Sequence, residues 1–182
     1  MGFGKKIHTD RAPQPFEGVV ELVSLHDHAI DYAAMGDVSA RIRDYYRRPD
    51  RWRDILPIKN GATPAVWTLK ILEKRDCDRL TATAEAQATS GDPRERAREL
   101  AALKSVAAFD RAAQRVVGYY EDEPKGVTDL RLGMHDLEIP YAVREDLGAL
   151  ILGMSEGRIT QEEGEVDEKK SSSPASSTDA GS

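Results

Sequence analysis

Asn60-Gly61-Ala62-Thr63-Pro64-Ala65-Val66-Trp67-Thr68-Leu69-Lys70-Ile71-Leu72 is a turn signal feeding a strand, and the strand runs directly into a charged helix that begins near Glu73. Asn60 and Gly61 tolerate positive φ, and Thr63-Pro64 biases the chain towards extended backbone, so the run that follows starts as a strand rather than a helix. Trp67, Leu69 and Ile71 share one face. Val66, Thr68 and Lys70 alternate with them on the other, which is the period-two pattern of a half-buried strand.

Downstream, Ala, Glu, Arg and Leu dominate from Glu73 to Thr89 without a proline, which predicts a helix broken at Ser90-Gly91. Asp92-Pro93-Arg94-Glu95 opens the next one, with aspartate as the cap, proline at the first helical position and glutamate three residues after the cap. Val106, Phe109, Ala113, Val116 and Tyr120 recur at spacings of three and four, so this helix is expected to run to about Gly118 and to form a hairpin with its predecessor. Beyond an acidic turn with Pro124 and Gly126, Val127 to Leu132 reads as a second strand with Thr128, Leu130 and Leu132 on one face, expected to pair with the Trp67 strand. Ile139-Pro140 opens a last amphipathic helix, in which Val143, Leu147, Leu150, Ile151 and Met154 share a stripe.

Upstream, residues 1–18 are polar and broken by Pro13 and Pro15, and read as a flexible N-terminal arm. Gly18 to Leu25 is apolar enough for a short strand or a buried segment, and a weak helix through Ala29, Ile30, Ala33 and Ala34 ends at Gly36. Asp37 caps a short arginine-rich helix that Pro49 stops. From Gly164 onward acidic residues give way to a Ser-rich tail with nothing to bury, read as disordered. The expected organisation is an arm over 1–18, a single domain over 19–163 and a tail over 164–182. The fold class is α+β and mainly helical, with the hairpin and the C-terminal helix packed on a small antiparallel sheet. Trp67, Leu69, Ile71, Phe109, Val116, Leu147 and Ile151 are the expected structural core.

The chain has 182 residues, 40% hydrophobic and 32% charged, with a formal net charge of −6, which suits one modest core and argues against phosphate binding over the whole surface. Cys77 is the sole cysteine, so an internal disulfide and a cysteine-based zinc site within one chain are excluded. Lys5 and Lys6 are followed by no apolar run of signal length, and no stretch approaches a membrane span, so no membrane contact is expected.

Groups able to do chemistry are scattered. His26 and His28 lie two apart, sharing a face only on a strand, and read as surface imidazoles flanking Asp27 rather than a metal pair. His8 has no ligand partner in sequence, and His135 stands beside Asp136 with no Ser or Cys in a nucleophile context. A helix N-terminus could lower the Cys77 thiol, but the ordinary reading is a small buried helix residue. No phosphate-binding loop or dinucleotide fingerprint is present. The chain therefore reads as non-enzymatic, with no catalytic residues, cofactor or metal.

Arg41, Arg43, Arg47, Arg48, Arg51 and Arg53 are interleaved with Tyr45, Tyr46 and Trp52. Guanidinium groups and aromatic rings together serve a protein-interface anchor, and they also serve a nucleic-acid surface, where charge meets phosphate and rings stack on bases. Arg41, Arg43, Tyr45, Tyr46, Arg47, Arg48, Arg51 and Trp52 are the interaction candidates, with Asp44, Asp50 and Asp54 diluting the charge and favouring protein contact or packing. The acidic run from Gln161 to Glu168 reads as a solvated lead-in to the tail, its other use being to dock on a basic partner.

Three stretches carry a resemblance. Lys59 to Lys70 looks like the strand with glycine, proline and then aromatic-Thr-Leu-basic found early in small structural and morphogenesis proteins of tailed bacteriophages. Leu72-Glu73-Lys74-Arg75-Asp76 resembles the charged helix behind that strand. Ile139-Pro140 through Glu145, Leu147-Gly148, Ile151 and Ser155, then Thr160-Gln161-Glu162-Glu163, resembles their last helix and acidic exit. The likeness spans roughly residues 55 to 165. It implies a non-enzymatic virion component or tail assembly chaperone, in the virion or the host cytoplasm, that contacts other phage structural or assembly proteins, with a second copy of the chain as a further candidate partner. The alternative is a small cytosolic regulator that binds nucleic acid through residues 41 to 53.

Overall fold

The computed structural model describes residues 14–120, 123, 125–131 and 138–161. The expectations for His8, Leu132, His135, most of the N-terminal arm and the tail beyond Gln161 fall outside the described residues. Within them the fold is α+β and mainly helical. A four-stranded antiparallel sheet carries a helical hairpin and a long C-terminal helix on its inner face.

Strand β1 (Val19–Leu22) leads through a loop and a turn of 3-10 helix (Tyr32–Met35) to α1 (Val38–Arg47) and the short α2 (Trp52–Ile55). Strand β2 (Val66–Lys70) follows, then α3 (Lys74–Gln87), α4 (Pro93–Ala112), β3 (Ala113–Val117), β4 (Val127–Asp129) and α5 (Tyr141–Ser155). The sheet order is β1-β2-β3-β4. Leu22 and Val116 both sit opposite Trp67, and Val20 sits opposite Leu69. The inner face is thus Val20, Leu22, Trp67, Leu69 and Val116, all buried. Trp67 is 1% exposed and meets the rings of Phe109 and Tyr119 edge-on, each at 5.4 Å between centroids. Phe109, Leu147 and Ile151 complete this core, while Ile71, past the end of β2, is only half-buried.

Two boundaries differ from the sequence reading. The helix expected to reach Gly118 ends at Ala112, and the chain enters β3 with no intervening loop, Ala113 taking extended backbone while its N–H still bonds Phe109. Spacings of three and four around Val116 mimic a helical stripe, but the unpaired edge of β2 wins the segment, because each strand residue gains a ladder partner and Val116 covers Trp67. In consequence the strand at Val127 does not pair with β2. It pairs with β3, which lies between them. The arm is also shorter than expected: Phe16 is buried in the core, and the Gln161 N–H donates to the Gln14 carbonyl at 2.9 Å.

The hairpin start follows the sequence signal, the Asp92 carboxylate accepting from the N–H groups of Arg94 and Glu95 at 2.9 Å each. Among the described residues helices α4 and α5 make the most extensive contact between two elements. At Gly148 an added Cβ would lie 1.8 Å from the Ser105 carbonyl oxygen, so the two backbones touch there and no larger residue fits. Burial on α5 extends beyond the expected stripe to Asp146, Gly148, Leu152 and Gly153. Among the described residues no helix is long and apolar enough to cross a membrane.

Candidate interaction site

Helix α1 begins at Asp37, whose carboxylate accepts from the Ala40 N–H at 3.0 Å, and Pro49 in the following turn ends the run. The helix sorts the arginine-aromatic segment by face. Tyr45 is fully buried and its hydroxyl donates to the Val23 carbonyl at 2.5 Å. Tyr46, partly exposed, donates its hydroxyl to Asp146 Oδ1 at 2.6 Å. Trp52 is buried, with the Arg53 guanidinium 4.3 Å above its ring and no hydrogen-bond partner for its indole N–H among the described residues. Tyr45 and Trp52 therefore do not present a surface, which corrects their place among the interaction candidates: an apolar ring on the inward face of a short helix gains more by burial than by waiting for a partner.

The anchor of α1 is Asp146, a buried carboxylate on α5. It accepts from Tyr46, from the Ser24 hydroxyl at 2.8 Å and from the Leu25 N–H at 2.7 Å, tying together α1, the end of β1 and α5. Burial, and then the negative charge of Asp146, push the phenols of Tyr45 and Tyr46 well above the usual tyrosine range. Both stay neutral donors at any ordinary pH. Sequence reading missed Asp146. Its signal was an acid beside Leu147 and between Val143 and Leu150, on the stripe otherwise reserved for core residues.

The outward face of α1 carries Arg41, Arg43 and Arg47, all exposed. With Met35, Asp37, Ala40 and Asp44 they line an open groove of about 550 Å³. Arg48 is half-buried and bonded to Asp44 one turn back, and Arg51 is half-buried in the 3-10 turn Pro49–Arg51. The groove is thus built from a backbone fixed on its other side by two tyrosines.

A second arginine surface lies on the outer face of the sheet, where the cross-strand partners Glu21, Thr68, Arg115 and Asp129 form one row. Arg115 donates to the Thr68 hydroxyl at 3.0 Å and stands 3.6 Å from Glu21. Arg53 reaches Glu21 at 3.3 Å, and Arg131 pairs with Asp129 at 2.6 Å, holding that exposed carboxyl down at about 2. Val19 and Val127 flank the row, the latter 64% exposed.

The remaining candidates fall in two places, His26, Asp27 and His28 lining one cavity with Ser24 and Tyr119, and Cys77 lining another. Asp27 is spent on structure, accepting from the N–H groups of Ala29 and Ala65 at 2.8 Å each, while His28 stands 3.6 Å from it and points to solvent. Cys77 is buried beside the Lys104–Glu156 ion pair. Burial, then the Glu156 charge, push its thiol up, the opposite of what a helix N-terminus would do. Among the described residues no three His, Cys, Asp or Glu side chains are grouped to hold a metal ion. Comparison of the chain with protein-family models, curated proteins and solved structures found no match.

Proposed function

We propose that this chain is a non-enzymatic structural or morphogenesis protein of a tailed bacteriophage, acting through protein contacts as a virion component or tail assembly chaperone. The observation that carries this reading is the division of labour within residues 41 to 53. Tyr45 and Trp52 are buried in the core and the Tyr46 hydroxyl is bonded to Asp146, while Arg41, Arg43 and Arg47 are displayed around an open groove on the other side of the helix. Arginines on an anchored helix suit recognition of another macromolecule, because less backbone freedom is lost on contact. The resemblance of residues 55 to 165 supplies the class of partner.

Nucleic acid is the second reading, and it keeps its arginines but loses two of its three rings. Buried Tyr45 and Trp52 offer no face for base stacking, leaving charge and the partly exposed ring of Tyr46. Mass spectrometry of purified particles against lysate of infected cells tests the proposal. Stoichiometric presence in particles marks a virion component, and abundance in lysate bound to a morphogenesis protein marks a chaperone. Absence from both settings, with binding to single-stranded oligonucleotides that weakens steeply with salt, would replace the proposal with the second reading.

A further inference from the structure

A carboxylate buried in a protein is ordinarily paired with a cation or given enough donors to spread its charge. The Asp27 side chain is 4% exposed, and its two hydrogen bonds come from neutral groups, the N–H of Ala29 and of Ala65, which fix its position without neutralising it. Asp146, the buried acid of α5, takes three donors where Asp27 takes two. Asp27 also lines a cavity of about 230 Å³, so its spare lone pairs are within reach of a guest. We propose that this cavity binds a primary ammonium on a short alkyl stem, the end of a lysine side chain or a small alkylamine, with Asp27 as its counter-ion.

The walls suit such a guest. Trp67 and Tyr119 contribute rings 5.4 Å apart and crossed at 75°, the half-buried Tyr119 being the more open of the two, and Ala65 and Val143 add apolar surface. Crossed rings form a corner in which a cation rests against a π-face, while the alkyl stem takes the apolar side. The volume falls below the roughly 300 Å³ at which drug-sized sites begin, which limits the guest to a head group and a few methylenes.

The neighbouring groups favour a cation over an anion. His28 stands 3.6 Å from Asp27 and His26 lines the cavity as well, both of them exposed. A neutral imidazole offers a lone pair to an ammonium and adds no charge of its own. Lys59, whose ammonium would compete for the carboxylate, is held instead on the His28 carbonyl at 2.6 Å. An anion would meet Asp27 with like charge. No residue lining this cavity lines the arginine groove, so the site stands independently of how that groove is read.

Amide NMR spectra of the full chain at about pH 8, above the range in which imidazoles ordinarily charge, test this. The Ala65 N–H, bonded to Asp27 Oδ2, and the Trp67 indole N–H are the reporters. Butylammonium should shift both peaks saturably, with a dissociation constant on the order of 1 mM for so small a guest. Butanol and butyrate, of the same chain length, should leave both peaks in place. Asp27→Asn, which keeps the shape and one acceptor oxygen, should weaken butylammonium binding by about tenfold or more. If that variant does not fold, the three guests on the unaltered chain decide the matter. Tighter binding of Nα-acetyl-lysine methylamide than of butylammonium assigns the site to a lysine of a protein partner, and the reverse order assigns it to a free amine. Unmoved peaks in butylammonium at about 50 mM, equal shifts with butyrate or butanol, or undiminished binding to a folded Asp27→Asn chain overturns the inference.

Discussion

Arg115 and Arg43 are both exposed arginines on one small body, and they stand in opposite situations. Arg115 lies in a row that crosses the whole sheet, with Thr68 and Asp129 on the neighbouring strands β2 and β4 and Glu21 one strand further on β1. Arg43 lines an open groove whose own acids are engaged elsewhere. The first kind of arginine is used up in covering the sheet, whereas the second leaves a field directed outward. Counting arginines in the sequence does not separate these cases; the register of the strands and the phase of the helix do.

The contrast depends on both surfaces sharing one support, and the strongest way to break it is at the support. Gly148→Val would force α5 away from the Ser105 carbonyl and carry the groove and the sheet off their common core. A loss of about 3 kcal/mol or failure to fold is expected, read by thermal melting. Asp146→Ala attacks the groove side alone, since it strands the donors of Ser24, Leu25 and Tyr46. About 2 to 3 kcal/mol should be lost in urea denaturation, and Asp146→Asn, which keeps one acceptor oxygen, should lose less.

Alkaline pH sharpens the same side. Folding holds Tyr45 and Tyr46 neutral above the ordinary tyrosine value of 10.0, so the folded state keeps protons that the unfolded state has released. Their contribution is fully present below pH 10 and is lost as pH rises beyond it. The slope of stability against pH above 10 should flatten in Tyr46→Phe. The smallest effects belong to the arginines themselves. Arg115→Ala should cost under about 1 kcal/mol, and less in high salt, because its ion pair is half-exposed. Arg43→Ala should leave stability within about 0.5 kcal/mol and act only on binding. Equal stability losses for these two would erase the distinction between the surfaces.

Much of this fold is legible in the sequence where local and long-range preferences agree. The strand at Trp67 was readable because a turn, a proline and strict alternation all point the same way, and the start of α4 was readable because Asp92 and Pro93 satisfy its first turn without help. Strand β3 was not readable, because Phe109, Ala113 and Val116 fit a helical spacing and only the pairing with β2, some fifty positions earlier, decides the matter. The candidate site was half readable. Val38, Ile42 and either Tyr45 or Tyr46 fall at helical spacing, which leaves open which ring faces inward, and the composition of the segment fits display as well as packing. Asp146 was visible as an acid in an apolar helix, yet its partners Ser24 and Leu25 are more than a hundred residues away and no local pattern names them.

The direct passage from α4 into β3 has a mechanical consequence. Most connections contain a few loop residues that absorb rotation, but here Ala112 is helical, Ala113 is already in the sheet, and the last helical carbonyl bond spans the joint. The α3–α4 hairpin is therefore a lever clamped to the strand beside Trp67. A load applied to the hairpin at Ser90 and Gly91 has no compliant element to dissipate it before it reaches the core.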